Sequence, residues 1–484
     1  MFSMKAHLLR LSCILLCIGI HGQAHSLTAN SKNDPYPVFT TLDPHFFLLK
    51  NEILRMIGDR PQNIPLNRFS FSLTPFWQCA DYGKKPRNLG CEAQQCLVTG
   101  CSLDDSTGNW CNTICSELGS MDGTWNLLTL LYGRLPEGIC CFPPVLEEAR
   151  QQLFPNDPGG YICYPELVDI VCGKISFPGT YRKKGLRWEA DVRLIDGFGL
   201  KVQSGIASMC LTTKPSYTCE CSYCCDEATK PADTEFQNKV NKYLTCRYKE
   251  IARELCLDLC PFNECYIEDI WATLWWRKPF ELLESPDCPH YVIAIPFIEI
   301  GGAFATGKPK DTFRPFSLPF GNNGHHAFGF TAGVDFNFVE SIEFGGEFGL
   351  THFFSRDIDC LHVPNSPYQS GIYPFTTCTT VSPGLNCHLG AKIACWHFLG
   401  CLSFSAQYIY INHLSDEIKV KDCDSVFCPA AMERFTPWKA QLANFGFNYD
   451  ISAHLSLGIL WQIPISQCNA YRTSTVLCSL NGIF

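Results

Sequence analysis

Residues 327–338 read Ala-Phe-Gly-Phe-Thr-Ala-Gly-Val-Asp-Phe-Asn-Phe, and every second side chain is apolar. Phe328, Phe330, Ala332, Val334, Phe336 and Phe338 share one face; Gly329, Thr331, Gly333, Asp335 and Asn337 share the other. Successive strand side chains point to opposite sides, so this period of two predicts a strand that separates an oily surface from a wet one. Trp188, Ala190, Val192 and Leu194 alternate in the same way with Arg187, Glu189, Asp191 and Arg193. Beyond Asp196-Gly197, Phe198, Leu200, Val202 and Ile206 alternate with Gly199, Lys201, Gln203 and Gly205. Asp-Gly between two alternating runs predicts a hairpin. Within 341–354, Ile342, Phe344, Phe348 and Leu350 oppose Glu343, Gly345, Glu347, Gly349 and Thr351.

Strands are predicted at 68–77, 124–132, 187–195, 197–207, 291–304, 327–338, 341–354, 387–397, 399–412, 436–451, 453–465 and 471–484. Cysteine-crowded stretches have room for a few more, and bacterial single-chain barrels favour even numbers, so about 12–16 strands are expected. The fold class that follows is all-β: a transmembrane antiparallel β-barrel with a partly helical, cysteine-rich extramembrane insertion at 210–288. Within that insertion, 234–276 has helical rather than alternating periodicity. Phe484, Leu480, Cys478 and Val476 share one face of the last strand, an arrangement that outer-membrane barrels use at their carboxyl end.

Residues 1–24 look like an export signal. Lys5 and Arg10 precede an apolar core, and Gly22-Gln-Ala24 supplies a small-x-small cleavage site. The core is shorter than the roughly 20 residues of a spanning helix. Residues 25–60 are expected to hold a short amphipathic helix near 45–57, and 61–484 the barrel. Without Lys5 and Arg10, the 38 basic residues become 36 against 47 acidic ones, a net charge of −11. That balance argues against nucleic acid, whose binding rests on phosphate-neutralising Lys and Arg.

Thirty-one cysteines are present, two of them (Cys13 and Cys17) within the signal. In an exported chain they are expected mainly as disulfides. A chain of this length does not need staples to compensate for a small core, so the bridges would serve loops, neighbouring chains or envelope rigidity. Cys219, Cys221, Cys224 and Cys225 form a tight cluster; Cys256, Cys260 and Cys265 lie in a stretch read as helical, on one face. Both groups are read as disulfide-forming rather than zinc-binding, because zinc spacing pairs two short clusters in one small unit. Catalytic and phosphate-cradling motifs are absent from the sequence, so neither reaction nor cofactor is expected.

Several blocks resemble barrel proteins of chlamydia-related bacteria, similar to the chlamydial major outer membrane protein family. They are Phe69-Ser-Phe-Ser-Leu-Thr-Pro-Phe76, Gly123-Thr-Trp-Asn-Leu-Leu-Thr-Leu-Leu-Tyr-Gly133, the run from Leu186-Arg-Trp-Glu to Gly205-Ile206, and Leu457-Gly-Ile-Leu-Trp-Gln462 through Tyr471-Arg-Thr-Ser-Thr475. The resemblance implies a porin-like barrel in an envelope strengthened by disulfides between proteins. It carries over no individual functional residue.

The expected function is therefore a passive channel for small hydrophilic solutes in a Gram-negative outer membrane. Its partners would be membrane lipid and, through disulfides, itself or other cysteine-rich envelope proteins. Charges facing lipid at mid-bilayer cost about 2–4 kcal/mol for Arg or Lys. Arg187, Glu189, Asp191, Arg193, Lys201, Asp335, Glu343 and Glu347 are thus expected to line a lumen, where they either bias solutes or brace the wall by pairing. Two alternatives stand beside this reading. One is a structural or adhesin-like barrel with a plugged lumen; the other is a soluble, secreted, disulfide-rich binding protein.

Overall fold

The computed structural model describes residues 69–81, 125–155, 173–177, 179–195, 197–217, 230–285, 288–338, 341–369, 371–421, 426–434, 436–452, 454–468 and 473–484. The expected export signal, the helix at 45–57 and the cluster Cys219, Cys221, Cys224 and Cys225 lie outside them.

Twelve strands form a closed antiparallel barrel: β1 Phe69–Asp81, β2 Gly179–Ile195, β3 Phe198–Thr213, β4 Ile270–Arg277, β5 Cys288–Phe304, β6 Ala327–Phe338, β7 Ile342–Phe353, β8 Asn386–Leu399, β9 Leu402–His413, β10 Trp438–Ser452, β11 Leu455–Cys468 and β12 Ser474–Ile483. Each strand pairs with its neighbours in sequence. β12 closes the ring on β1, from Ser70 opposite Ile483 to Cys79 opposite Ser474. Phe484 completes the seam, donating its backbone N–H to Phe69 O at 2.8 Å. Closure satisfies every strand edge, as a lipid environment requires.

The period of two decides which way each side chain points. Phe328, Phe336, Phe344, Phe348, Leu389, Ile393, Phe447, Leu457, Ile459 and Trp461 are exposed on the outer face. Thr331, Asp335, Glu343, Glu347, Gln407, Asn444, Asn448 and Asn481, on the same strands or next to them, are buried inside. An exterior apolar on every side cannot be wetted cheaply, whereas a hydrocarbon surround leaves it without penalty. No helix among the described residues is long and apolar enough to cross a membrane.

The two ends of the barrel differ. At one end, short turns join β2 to β3, β6 to β7, β8 to β9 and β10 to β11. At the other, the connections 82–178, 214–269, 305–326, 354–385 and 414–437 are long, and their described parts fold into a cap. The cap contains α1 Pro144–Leu153, α2 Lys230–Tyr243, α3 Tyr248–Glu254 and α4 Ala430–Glu433. It also holds a small sheet of Arg356–Val363, Phe375–Ser382 and Glu417–Val420. Its apolar core joins Trp125, Leu128, Leu131, Leu146, Val240 and Phe316 to Phe76, Tyr181, Met209 and Leu211 of the barrel's inner face. Loop core and barrel wall are thus one hydrophobic body, and each fully buried large side chain in it contributes about 1.5–3 kcal/mol.

Three expectations are corrected. Residues 124–132 do not form a barrel strand. Trp125–Asn126 is a two-residue strand and Leu128–Leu131 a 3-10 turn inside the cap. Residues 125–132 are buried on every side by the cap core, and their density of apolar side chains resembles that of a strand. The stretch 210–288 is not wholly extramembrane, since β4 lies within it and pairs with β3 and β5. Its helical reading held only for α2 and α3. The sequence of β4, Ile-Trp-Ala-Thr-Leu-Trp-Trp-Arg, carries large apolar side chains on both faces, so no alternation shows.

The third correction concerns Cys256, Cys260 and Cys265, which do not share a helical face. α3 ends at Glu254, and Cys256 follows in the left-handed region with φ 57°. Cys260 sits in the next turn and Cys265 on the strand Phe262–Ile267. All three are exposed thiols.

Candidate functional site: the barrel lumen

The eight charged residues singled out in the sequence all occupy the inner face. Asp335 and Glu343 are fully buried, Asp191, Arg193 and Glu347 nearly so, and Lys201 keeps slight exposure. Arg187 and Glu189 are half-buried. These residues sit on β2, β3, β6 and β7, and they meet partners from strands far away in sequence.

Lys392 of β8 lies 2.9 Å from Asp335 Oδ2 and 3.2 Å from Glu343 Oε1, so one ammonium serves two carboxylates. Lys201 approaches Glu299 of β5 at 3.6 Å. Asp191 accepts a hydrogen bond from Trp275 Nε1 at 3.0 Å. The geometry of this last pair needs a glycine: a Cβ on Gly199 would collide with the Trp275 ring. Likewise a Cβ on Gly390 would meet the Glu347 side chain. Glycines on the inner face therefore let large neighbours lie along the wall instead of projecting to the axis.

Glu268 was not foreseen from sequence, because it lies in the part read as helical. It sits between Phe262–Ile267 and β4, where pairing to β3 slips by one residue: Ile206 faces Ile267 but Gln203 faces Trp271. Such a bulge turns two consecutive side chains to the same side, and both Glu268 and Asp269 are buried. Glu268 receives Arg187 through Nε at 2.7 Å and Nη2 at 2.8 Å, and Lys183 Nζ at 2.7 Å. Arg187 also lies over the Phe76 ring, 4.4 Å from its centroid. Asp269 accepts the backbone N–H groups of Gly307 at 2.9 Å and Asn322 at 2.6 Å. One carboxylate grips the wall and its neighbour grips the 305–326 connection over the mouth.

The opposite wall carries no such charges at mid-height. Its inner face on β9 to β12 and β1 is built from Ser405, Gln407, Asn444, Asn448, Ser456, Gln462, Ser479, Asn481, Ser72 and Thr74. Two walls of different chemistry thus face each other across the lumen: ion-paired on β2 to β8, and amide and hydroxyl on β9 to β1. They meet where Gln407 Nε2 donates to Glu347 Oε1 at 3.2 Å. Asn444 Nδ2 in turn donates to Gln407 Oε1 at 3.0 Å. The alternation of β9 and β10 could have flagged these amides, but amides are common on any wet face and drew no notice. Lys392 was equally legible, between Ala391 and Ile393. Among the described residues, no cluster of His, Cys, Asp and Glu is arranged to hold a metal ion.

No family model matches this sequence, and no curated protein sequence does. Three solved structures align along most of its length. An outer membrane channel from Pseudomonas putida F1 has 8% identity and a TM-score of 0.41, over 88% of this chain and 100% of that one. The translocator domain of the autotransporter NalP from Neisseria meningitidis has 8% identity and a TM-score of 0.29, over 91% and 96%. A Pseudomonas aeruginosa FadL homologue has 8% identity and a TM-score of 0.32, over 87% and 90%. With scores below one half, the lumen is read from its own geometry.

Proposed function

We propose that this protein is a channel of a Gram-negative outer membrane for passive diffusion of small hydrophilic solutes. The observation that carries the reading is the sorting of side chains by a closed cylinder: phenylalanine, leucine and isoleucine outside, charges and amides inside. A barrel retained only for strength would gain from an apolar filling, because buried ion pairs are often replaceable by hydrophobic residues without loss. Charges and amides on an inner wall are the groups through which a pore acts on what passes. Exposed Cys256, Cys260 and Cys265 on the capped end supply thiols for cross-links to neighbouring envelope proteins or to a second copy. The likeness to the chlamydial major outer membrane protein family rests on the sequence blocks alone and fits this arrangement.

One observation favours a second reading. The cap core reaches Phe76, Tyr181 and Met209 on the inner wall, as a plug would. A plugged barrel would serve as a structural or adhesive unit instead. The test is single-channel recording with the full chain folded into planar bilayers. Stepwise conductance from pure, heat-modifiable protein supports the channel; silent bilayers containing folded protein transfer the assignment to the plugged barrel.

A further inference from the structure

The amide wall has a polarity that its hydrogen bonds dictate. A carboxylate can only accept, so Glu347 obliges Gln407 to present its NH2 group. The carbonyl of Gln407 then faces Asn444 and takes the NH2 of that residue. The Asn444 carbonyl is left over: Oδ1 is buried and has no hydrogen-bond partner. The same logic holds lower on β10. Asn448 Nδ2 donates to Asp450 Oδ1 at 2.8 Å, so its own Oδ1 is the atom left open, again buried and without partner. The carboxylates fix both orientations, because the opposite placement of oxygen and nitrogen would set two acceptors against each other. Gln462 Oε1 and Asn481 Oδ1 on β11 and β12 are also buried without a partner, Asn481 turning its NH2 to the hydroxyls of Ser456 and Ser479. Four amide oxygens, each on a residue at most 3% exposed, therefore present lone pairs inside one half of the lumen.

An unpartnered buried acceptor is costly, about 1–3 kcal/mol each, and four of one kind on a wall give it a negative potential that a nearby cation relieves. Anions cannot do so. The cations of the facing wall do not reverse the sign: Lys183, Arg187, Arg193, Lys201, Arg277 and Lys392 are outnumbered by Glu189, Asp191, Glu268, Glu299, Asp335, Glu343 and Glu347 on the same face. Rings of oxygen dipoles are the usual means of replacing a cation's hydration shell.

We infer that the lumen selects small cations over anions, and that the open amide oxygens of Asn444, Asn448, Gln462 and Asn481 are the residues that set this preference. This rests on the channel reading above. A negative lumen potential of about one kT enriches a monovalent cation over the matching anion about sevenfold.

The test is the reversal potential under a KCl gradient, with the full chain in a planar bilayer. The expected cation-to-anion permeability ratio for the unaltered protein is about sevenfold by the same estimate. Asn444→Leu combined with Asn448→Leu should lower that ratio at least by half, while the protein remains heat-modifiable. Gln462→Glu, close in volume and with no carboxylate bonded to its amide, should raise it. Conducting channels with no cation preference, or a ratio untouched by all three substitutions, overturn this inference and leave the channel reading standing. Folded protein without any conductance overturns both.

Discussion

Replacing Lys392 with methionine keeps the volume and the apolar stem but removes the one ammonium that serves Asp335 and Glu343. Both carboxylates belong to fully buried residues on adjacent strands, 2.9 and 3.2 Å from Nζ in the intact protein. Removing one member of a buried ion pair costs about 3–5 kcal/mol, because the remaining charge is left uncompensated. Here two like charges remain, so the upper part of that range is expected. At 1.4 kcal/mol per decade, the folded-to-unfolded ratio falls by about two to four powers of ten. Urea unfolding in detergent micelles, followed by tryptophan fluorescence, should show a lower midpoint with an unchanged slope. Adding Glu343→Gln to the variant removes one of the two stranded charges and should recover about half of the loss, a coupling that separates charge from packing. If Lys392→Met costs under about 1 kcal/mol, the figure for an exposed pair, the cluster is wetted and the lumen argument fails. A double variant no better than the single one would count equally against it.

Three further outcomes follow from the same geometry. Gly199→Val should displace the Trp275 ring from the wall and cost about 1–3 kcal/mol as overpacking; an unchanged unfolding midpoint would show that Trp275 does not lie where it is placed. Ile459→Arg puts a charge on the exposed outer face of β11 and should cost about 2–4 kcal/mol in lipid vesicles, whereas equal stability in the variant would mean that this face meets water. In the cap, burial depresses the His362 imidazole below its ordinary range; its Nδ1 donates to Tyr373 O and its Nε2 is enclosed without a partner. The folded state thus holds fewer protons than the unfolded one. This contribution is complete above the unfolded pKa, near 6.5, and is lost as pH falls through the depressed folded value. Corrected for intrinsic exchange, the protection of amides in Arg356–Val363 should fall on acidification below pH of about 6, and should fall less in His362→Phe; protection unchanged with pH would refute the placement.

Much of the architecture was legible along the chain, for one reason. Where a strand has lipid on one side and water or polar groups on the other, its side chains must alternate, and β2, β3, β6 and β7 display that period openly. The eight charges expected to face a lumen were chosen from that period alone. Segments enclosed on both sides lose the signal. β4 carries Trp271 and Trp275 inward and Leu274 and Trp276 outward, so it escaped notice. The 124–132 run, packed on all sides by the cap, passed for a strand it does not form.

What the linear pattern determined is which face of each strand each residue takes, because that depends only on parity. Partnership across the lumen lay beyond it. The chain from Glu347 through Gln407 to Asn444 spans 60 residues and then 37 more, and the Lys392 cluster joins three strands. Whether a carbonyl oxygen is satisfied or open follows from the register in which these strands pair. That register is a property of the closed ring and of no single strand, so tertiary structure alone decided it.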